Sequence, residues 1–322
     1  MKPYIFISRK LPEDAVAILK EKYDVRMWDQ EDVPVPYDIF LEEAKKADAL
    51  LTMLSEPVNE EVLNAGERLK IVANMAVGYD NVDVEAASRL GVTVTNTPDV
   101  LNDSTADLTF ALVLAAARRM VEAAEFVKEG SWKSWSPLLL AGQDVHHKTI
   151  GIVGMGNIGN TVAKRATGFE MEILYHNRSR KPDAEQELGA KYVSFDELLE
   201  RSDFVVCLTP LTDETRNLFN RDAFKKMKKQ AVFVNSSRGP VVNEQDLYKA
   251  LQGGEIAAAG LDVFEEEPIG SGHPLLELKN VVAMPHIGSA SMETRFAMMK
   301  LCVDNIDLVL SGNPPKTPVK KK

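Results

Sequence analysis

Short apolar segments alternate with amphipathic segments along the first hundred residues of the chain. The apolar segments have the length of buried strands, and the amphipathic ones carry apolar residues at helical spacing. The predicted strands are Tyr4–Ser8, Ala49–Leu54, Lys70–Met75 and Val92–Thr95. The predicted helices are Pro12–Glu21, Phe40–Lys46 and Glu60–Ala65. This alternation predicts a parallel sheet with helices on both of its faces.

A second series of the same kind follows a segment of different texture. From Val100 to Gly130 the chain is rich in Ala, Leu and Val, which predicts one long helix buried on several sides by its own domain or by a second subunit. A loop with two tryptophans, Ser131–Ser136, comes next. The predicted strands of the second series are Thr149–Gly154, Glu172–His176, Asp203–Leu208, Ala231–Asn235, Ala257–Val263 and Val281–Met284, and the last predicted helix is Met292–Leu310.

Composition excludes several classes of protein. The formal net charge of the 322 residues is -10, which gives no electrostatic support for binding nucleic acid. The two cysteines, Cys207 and Cys302, lack the spacing of a metal site or a disulfide framework, so we expect no bound metal. No signal-like apolar segment follows Met1, and no run approaches the ~18 apolar residues of a membrane span. We therefore expect a cytoplasmic protein with no membrane partner.

A glycine-rich turn joins the predicted strand Thr149–Gly154 to a helical pattern. In such a turn, one glycine permits the sharp bend, a second lets a pyrophosphate approach the backbone, and a third lets helix and strand pack closely. The N–H groups at the start of the helix then face the phosphates. The residues of this turn are Gly154, Met155, Gly156, Asn157, Ile158 and Gly159. We predict that they bind a dinucleotide.

The loop after the predicted strand Glu172–His176 lacks the acidic residue that binds the ribose 2′-hydroxyl of NAD. It carries Asn177, Arg178, Ser179 and Arg180 instead. Guanidinium groups and a hydroxyl can bind a 2′-phosphate through charge-assisted hydrogen bonds. The alternative is a solvated basic loop that tolerates NAD. We expect these four residues to contact the cofactor and NADP to be preferred over NAD.

Three charged or titratable residues follow predicted strands of the second series. Arg238, Glu267 and His286 would meet at the carboxyl edge of one parallel sheet, where such folds bind ligands. Arg238 can pair with a carboxylate and polarise a neighbouring carbonyl oxygen, Glu267 can orient an imidazole, and His286 can transfer a proton near neutral pH. Together with the glycine turn, this set predicts hydride transfer on small 2-keto or 2-hydroxy acids.

Several motifs occur in one order along nearly the whole chain. Besides the glycine turn, they are Val77–Asn81, Thr105–Asp107, Asn235–Gly239, Gly260–Val263 with Glu267–Pro268, and Pro285–Ser289. In these motifs the chain resembles the D-isomer-specific 2-hydroxyacid dehydrogenase family, most of all its glyoxylate/hydroxypyruvate reductase branch. The related 2-ketogluconate reductases are also similar.

The resemblance implies roles for further residues. Leu54 would line the substrate pocket, and the backbone amides of Val77 and Gly78 would bind the substrate carboxylate beside Arg238 and His286. Asp262 would lie near the nicotinamide amide, the alternative being a helix or turn cap. The other implied cofactor contacts are Thr105, Thr209, Pro210, Ser236, Ser237 and Gly288.

The expected fold is α/β, with two Rossmann-like domains, parallel sheets and an active-site cleft between the domains. We expect a dinucleotide-binding domain at residues 100–287. A discontinuous substrate-binding domain would comprise residues 1–99 and 288–322, and two linkers of this kind suit a hinge. The apolar segment after Val100 and the tryptophan-containing loop predict a homodimer formed through the cofactor domains.

The expected reaction is NADP(H)-dependent reduction of glyoxylate or hydroxypyruvate to the D-2-hydroxy acid, with His286 as the proton donor. Two alternatives stay open: a 2-ketogluconate reductase of the same family, and a dinucleotide-sensing protein on the same scaffold, similar to a corepressor. A 3-phosphoglycerate dehydrogenase is a weaker alternative because the ribose-binding acid is missing. A formate dehydrogenase is weaker still, since that branch carries Gln where Glu267 stands.

Overall fold

The computed structural model describes residues 2–320, so the first residue and the last two residues of the expected substrate-binding domain lie outside it. The strands are β1 (Tyr4–Ile7), β2 (Asp24–Met27), β3 (Ala49–Thr52), β4 (Ile71–Asn74), β5 (Thr93–Thr95), β6 (Thr149–Val153), β7 (Glu172–His176), β8 (Lys191–Tyr192), β9 (Phe204–Cys207), β10 (Val232–Asn235), β11 (Ala258–Leu261) and β12 (Val281–Ala283). The helices are α1 (Glu13–Lys22), α2 (Tyr37–Ala44), α3 (Glu60–Ala65), α4 (Val84–Arg89), α5 (Asn102–Ala117), α6 (Met120–Lys128), α7 (Asn157–Thr167), α8 (Pro182–Leu188), α9 (Phe195–Arg201), α10 (Arg221–Lys226), α11 (Glu244–Gln252) and α12 (Met292–Leu310).

The chain divides into two compact units. The first comprises the residues up to Leu101 together with those from Ala290 onward, and the second is Asn102–Ser289. The first unit contains a five-stranded parallel sheet in the order β2-β1-β3-β4-β5. Its core includes the fully buried side chains of Leu50 and Val72, with Phe40 beside them. Within this unit, Tyr23 at the end of α1 donates a hydrogen bond to Asp307 of α12.

The second unit contains a seven-stranded parallel sheet in the order β12-β11-β10-β9-β6-β7-β8. Successive side chains of one strand enter opposite faces of the sheet, as the geometry of a strand requires. On β10, Val232 and Val234 pack into one apolar cluster, whereas Phe233 packs into the other. Both faces are therefore covered, and the predicted α/β fold with parallel sheets is confirmed.

Two strands lacked a sequence signal. β2 is an edge strand whose alternate residues are exposed, and β8 has only two residues, both exposed. Neither contains the apolar run by which a buried strand is recognised, because neither is buried on both faces. The strands that were predicted all form, most of them a residue or two shorter than expected.

The prediction of one long helix from Val100 to Gly130 was wrong. α5 ends at Ala117, and α6 begins at Met120 after Arg119, whose φ of 53° is left-handed. The carbonyl of Ala117 accepts a hydrogen bond from the N–H of Gln143 at 2.9 Å, so a tertiary partner replaces continuation of the helix. No helix in the described part of the chain is both long enough and apolar enough to span a membrane.

Candidate active site

The carboxyl ends of the strands in the second unit carry most of the predicted site residues. Gly154 follows β6, Thr209 follows β9, Ser236 follows β10 and Asp262 follows β11. His286 comes three residues after the end of β12. Because all these strands are parallel neighbours, the residues share one edge of the sheet, which is where open α/β sheets bind ligands.

His286 and Glu267 form a hydrogen-bonded pair at this edge. The Nδ1 atom of His286 lies 2.7 Å from Oε2 of Glu267, and the two side chains are 25% and 28% exposed. The second carboxylate oxygen, Oε1, accepts a hydrogen bond from the N–H of Phe264 at 2.9 Å. With Nδ1 engaged, Nε2 is the ring nitrogen of His286 that can exchange a proton with a ligand.

Asp262 determines the backbone conformation around His286. Its two carboxylate oxygens each accept a hydrogen bond at 2.8 Å, one from the N–H of Ile287 and one from the N–H of Gly288. These bonds close a turn in which His286 has a left-handed φ of 55°, a conformation that non-glycine residues rarely adopt. A Cβ added at Gly288 would lie 3.1 Å from Asp262 Oδ2 and 3.2 Å from a methyl of Thr105. Asp262, Gly288 and Thr105 therefore lie together.

Arg238 is positioned by the side chain of Asn235 at the end of β10. The amide nitrogen of Asn235 donates to the carbonyl of Arg238 at 3.1 Å, and its oxygen accepts from the hydroxyl of Ser237 at 2.8 Å. The guanidinium Nη1 of Arg238 donates to the carbonyl of Ser237 at 2.9 Å. The residue after it, Gly239, packs so tightly that an added Cβ would lie 1.8 Å from the backbone of Phe264. The turn that carries Arg238 thus touches the segment that carries Glu267.

The local charges shift two pKa values. Burial alone would raise the pKa of Glu267, but the hydrogen bond from His286, its positive charge when protonated, the N–H of Phe264 and the charge of Arg238 together hold it below its usual value. Burial raises the pKa of Asp262, and the N–H groups of Ile287 and Gly288 only partly oppose that effect. Glu267 is accordingly an anion throughout the neutral range.

The glycine turn has the geometry that a dinucleotide requires. Gly154 has a φ of 103°, and an added Cβ would lie 2.6–2.7 Å from the backbone of Leu208 and Thr209. A Cβ at Gly159 would lie 2.3 Å from the carbonyl oxygen of Gly154. Nothing lies within 4 Å of a Cβ at Gly156, which is the N-cap of α7 and supplies no side-chain cap. The start of α7 is therefore open above Gly156, as phosphate binding needs.

A cavity of about 430 Å³ adjoins this turn. Met155, Gly156, Asn157 and Lys181 are among its lining residues. Next to β10, the hydroxyl of Ser236 is buried and finds no hydrogen-bond partner among residues 2–320, whereas that of Ser237 is used by Asn235. The open turn, the cavity and the unsatisfied hydroxyl all fit a bound dinucleotide.

The four residues of the basic loop differ in their surroundings. Arg178 and Ser179 are exposed, and Arg178 makes no ion pair within the described part of the chain. Arg180 is bound to Glu185 through Nε at 3.0 Å and Nη2 at 2.5 Å. Asn177 donates from its side chain to the carbonyl of Ser179 at 3.1 Å. Arg178 is thus better placed than Arg180 to bind a phosphate group of a ligand. Lys181, which borders the cavity, was not among the predicted cofactor contacts.

Leu54 lies in the first unit, on the loop after β3. The carboxylate of Glu56 holds this loop by accepting from the N–H of Met53 at 2.8 Å and from Nη2 of Arg9 at 2.8 Å. The side chain of Asn81 donates to the carbonyl of Met53 at 3.0 Å. Leu54 itself is 39% exposed, so its apolar side chain is partly open to solvent, and its predicted contact with the substrate stays a prediction.

Val77 and Gly78 lie on the loop after β4 of the same unit. Their carbonyl oxygens accept hydrogen bonds from side-chain amides: Asn96 binds Val77 at 2.8 Å, and Asn74 binds Gly78 at 3.0 Å. The N–H groups of Val77 and Gly78 donate no hydrogen bond to any described residue. These asparagines were not singled out from the sequence, although their positions near strand ends were a usable signal.

A family profile described as D-isomer specific 2-hydroxyacid dehydrogenase, NAD binding domain, matches residues 110–288. The chain belongs to this family. Glyoxylate reductase from Thermococcus kodakarensis is 51% identical to it over 326 aligned positions, covering 100% of this chain and 97% of that protein. The predicted membership of the D-isomer-specific 2-hydroxyacid dehydrogenases is confirmed.

Two solved structures are similar to this chain over 99% of its length. A glyoxylate reductase from Paecilomyes thermophila has a TM-score of 0.88 at 32% identity, over 99% of this chain and 98% of that one. An NADPH-dependent glyoxylate/hydroxypyruvate reductase from Sinorhizobium meliloti, in complex with NADP and malonate, has a TM-score of 0.85 at 33% identity, over 99% and 97%. Within this 2-hydroxyacid dehydrogenase, the roles of the individual site residues stay predictions.

Proposed function

We propose that this dehydrogenase reduces glyoxylate, and also hydroxypyruvate, to the corresponding 2-hydroxy acid with NADPH as the reductant. The observation that carries the proposal is the arrangement of Arg238, Glu267 and His286 at the carboxyl edge of the sheet in the second unit. The names of the relatives with about half of their residues in common point to the same substrate.

His286 acts as the proton donor. Glu267 accepts from Nδ1 and remains ionised, so it favours the imidazolium form of His286 and leaves Nε2 directed away from the pair. As hydride reaches the carbonyl carbon of a 2-keto acid, Nε2 gives its proton to the carbonyl oxygen. The product is the 2-hydroxy acid, and oxidation follows the same steps in reverse.

Arg238 binds the carboxylate of the substrate. A guanidinium can hold a carboxylate by two parallel hydrogen bonds, and it also stabilises negative charge that develops on the neighbouring keto oxygen. We expect the short acids glyoxylate and hydroxypyruvate to react faster than the longer 2-ketogluconate.

The cofactor is held by the glycine turn. When bound, NADPH supplies the hydride that reduces the keto group. Gly154, Gly156 and the first turn of α7 bind the pyrophosphate, and the hydroxyl of Ser236 gains the partner it lacks. Arg178 and Ser179 bind the 2′-phosphate, whose absence from NAD makes that cofactor the poorer one.

The active form is a homodimer. α6 has no buried residue, and the adjoining segment exposes further large apolar side chains; grouped exposed apolar residues commonly mark a protein–protein interface. We call these residues the α6 surface, and its members are Met120 (55% exposed), Val127 (54%), Trp132 (58%), Trp135 (79%) and Leu138 (81%). A second copy of the chain would remove them from water.

The test is a cofactor oxidation assay on the purified protein. Loss of NADPH absorbance on adding glyoxylate or hydroxypyruvate, at a rate well above that with 2-ketogluconate, is the expected result. Faster turnover with 2-ketogluconate would show that the protein is a 2-ketogluconate reductase instead. Tight NADPH binding without turnover of any 2-keto acid would favour the dinucleotide-sensing alternative and would contradict the proposal.

A further inference from the structure

We propose that Glu244 and His273 form a positioning pair that sets the arrangement of Arg238 relative to the Glu267–His286 dyad. The proposal rests on the proposed function, because it assigns the pair an effect on that same reaction. Neither residue contacts the dyad directly. They act through the backbone segment Phe264–Glu267, which lies between them and the catalytic carboxylate.

The pair is well shielded from solvent. Nε2 of His273 lies 3.1 Å from Oε2 of Glu244, and the side chains are 20% and 15% exposed. Glu244 is the first residue of α11, whose N-terminus is already capped by the side chain of Asn243. The carboxylate of Glu244 is therefore not needed to cap its own helix, and it turns to the neighbouring segment instead.

Glu244 holds the segment that carries Glu267. Its second oxygen, Oε1, accepts a hydrogen bond from the N–H of Glu265 at 2.6 Å. The preceding N–H, that of Phe264, donates to Oε1 of Glu267 at 2.9 Å. Two successive peptide groups are thus each fixed by a carboxylate, one from α11 and one from the catalytic residue. A change in the position of Glu244 would be passed to Glu267 across a single peptide.

The segment Phe264–Glu267 packs against the turn that carries Arg238. A Cβ at Gly239 would overlap the carbonyl group of Phe264 at 1.8 Å, so the backbones of the two loops are in direct contact. Glu244 comes five residues after Gly239, beyond one turn of 3-10 helix at Gly239–Val241. Both Arg238 and Glu244 therefore belong to one short stretch of chain. The hydrogen bond from the N–H of Glu265 to Glu244 connects this stretch to the segment that carries Glu267.

His273 fixes the orientation of Glu244. Its ring packs edge-on against Phe264 with the centroids 5.7 Å apart, and its Nδ1 is buried without a partner in the described structure. A proton on Nδ1 would have no acceptor, so the proton belongs on Nε2, where it is donated to Glu244. His273 thereby contacts both the carboxylate of Glu244 and Phe264, the residue next to the Glu265 whose N–H that carboxylate binds.

Kinetics and histidine NMR on the full-length protein test the pair. Glu244→Gln should lower kcat/KM for glyoxylate by about 10- to 100-fold, the loss expected for one hydrogen bond to a charged group. The primary deuterium isotope effect, measured with NADPH deuterated at the transferred position, should rise because chemistry becomes slower relative to binding. NADPH affinity, measured by fluorescence, should not change. The matched control is Glu266→Gln, an exposed carboxylate in the same acidic run.

The NMR measurement does not depend on turnover. Labelled histidine gives signals for five residues, and the signal of His286 is identified by its loss in His286→Asn. The chemical shift of the His286 signal should change in Glu244→Gln and should stay as in the wild type in Glu266→Gln. If the wild type fails to reduce glyoxylate, the proposed function is wrong while this measurement still judges the pair.

Two results would overturn the positioning role. One is a lower Tm in Glu244→Gln with kcat/KM, isotope effect and the His286 signal all as in the wild type, which means that the pair only stabilises the fold. The other concerns His273→Phe, which keeps the ring contact with Phe264 and removes only the hydrogen bond to Glu244. This variant decides the matter if Glu244→Gln does not fold, and wild-type kinetics together with an unmoved His286 signal would refute the proposal.

Discussion

Oε2 of Glu267 and Nδ1 of His286 are 2.7 Å apart although 19 residues separate them in the chain. The contact arises because β11 and β12 are parallel neighbours whose carboxyl ends share one edge. The pKa of Glu267 is held below its usual value in part by this contact, so its carboxyl group is ionised at neutral pH.

Glu267→Gln should make the loss of reductase activity with rising pH begin at a lower pH. The carboxylate favours the protonated imidazole of His286, and an amide of the same shape does not. Activity above neutral pH should therefore fall first, while His286→Ala should cost ~10²–10⁴-fold at neutral pH. The measurement is kcat/KM for glyoxylate against pH, with Glu266→Gln as the control. An identical pH profile in Glu267→Gln and the wild type would show that Glu267 does not act on the proton donor His286.

The same pKa shift predicts how stability depends on pH. A carboxyl group whose pKa is lowered by folding stabilises the native state above its unfolded pKa, and this contribution disappears as pH falls through the folded value. The stability difference between the wild type and Glu267→Gln should thus shrink on going from neutral pH to below the usual range of Glu. Denaturant titrations at several pH values measure it. A difference that grows in acid would contradict the charged pair.

Arg238→Ala should lower kcat/KM for glyoxylate by several orders of magnitude and leave NADPH affinity intact. The variant loses a charge-assisted pair to the substrate carboxylate. Arg238→Lys should recover only part of the activity, because an ammonium cannot reproduce the two parallel hydrogen bonds. Arg216→Ala, at an exposed position of the same unit, is the control. Near-normal turnover of Arg238→Ala would show that Arg238 does not bind the substrate.

Asp262→Asn should reduce kcat by at least about tenfold. Its side-chain amide has one acceptor oxygen, so either the N–H of Ile287 or that of Gly288 loses its partner and the turn at His286 loosens. Asp222→Asn, at an exposed position of α10, is the matched control. Single-turnover kinetics distinguish slow chemistry from weak cofactor binding. If only the affinity for the cofactor falls, Asp262 contacts the nicotinamide and does not position His286.

The basic loop predicts at least a tenfold preference of the wild type for NADPH, since each hydrogen bond between charged groups is worth roughly 1.5–3 kcal/mol. Replacing Asn177 by Asp and Arg178 by Gln should lose NADPH use far more than NADH use. Arg180→Ala should have the smaller effect, because Arg180 is held by Glu185. The test is kcat/KM with both cofactors. A wild type that uses NADH as well as NADPH would contradict the assignment of the loop but not that of Arg238, Glu267 and His286.

The α6 surface predicts that Leu138→Glu yields a monomer. A carboxylate placed at a residue that is 81% exposed in the single chain costs nothing there, whereas burial against a second copy would leave it without a partner. Sedimentation gives the oligomeric state, and Leu276→Glu, at an exposed residue of the same unit, is the control. An unchanged mass for Leu138→Glu, or a wild type that is already monomeric, would refute this interface.

The sequence by itself determined the class of fold, the glycine turn and the candidate catalytic residues. Apolar runs of strand length and a helix start behind Gly154 are local features, and they reflect burial that every neighbouring residue shares. The segment Met292–Leu310 became a helix with the predicted ends for the same reason. The family motifs carry comparable local information about Arg238 and His286.

Only the tertiary structure decided which distant side chains meet. The helix break at Arg119 depends on the partner that Gln143 supplies to Ala117, and the exposed strands β2 and β8 form because a neighbouring strand offers hydrogen bonds. Glu244 and His273 are 29 residues apart and lack any shared periodicity. Contacts made across crossover connections depend on how strands and loops are brought together in space, so spacing along the chain cannot reveal them.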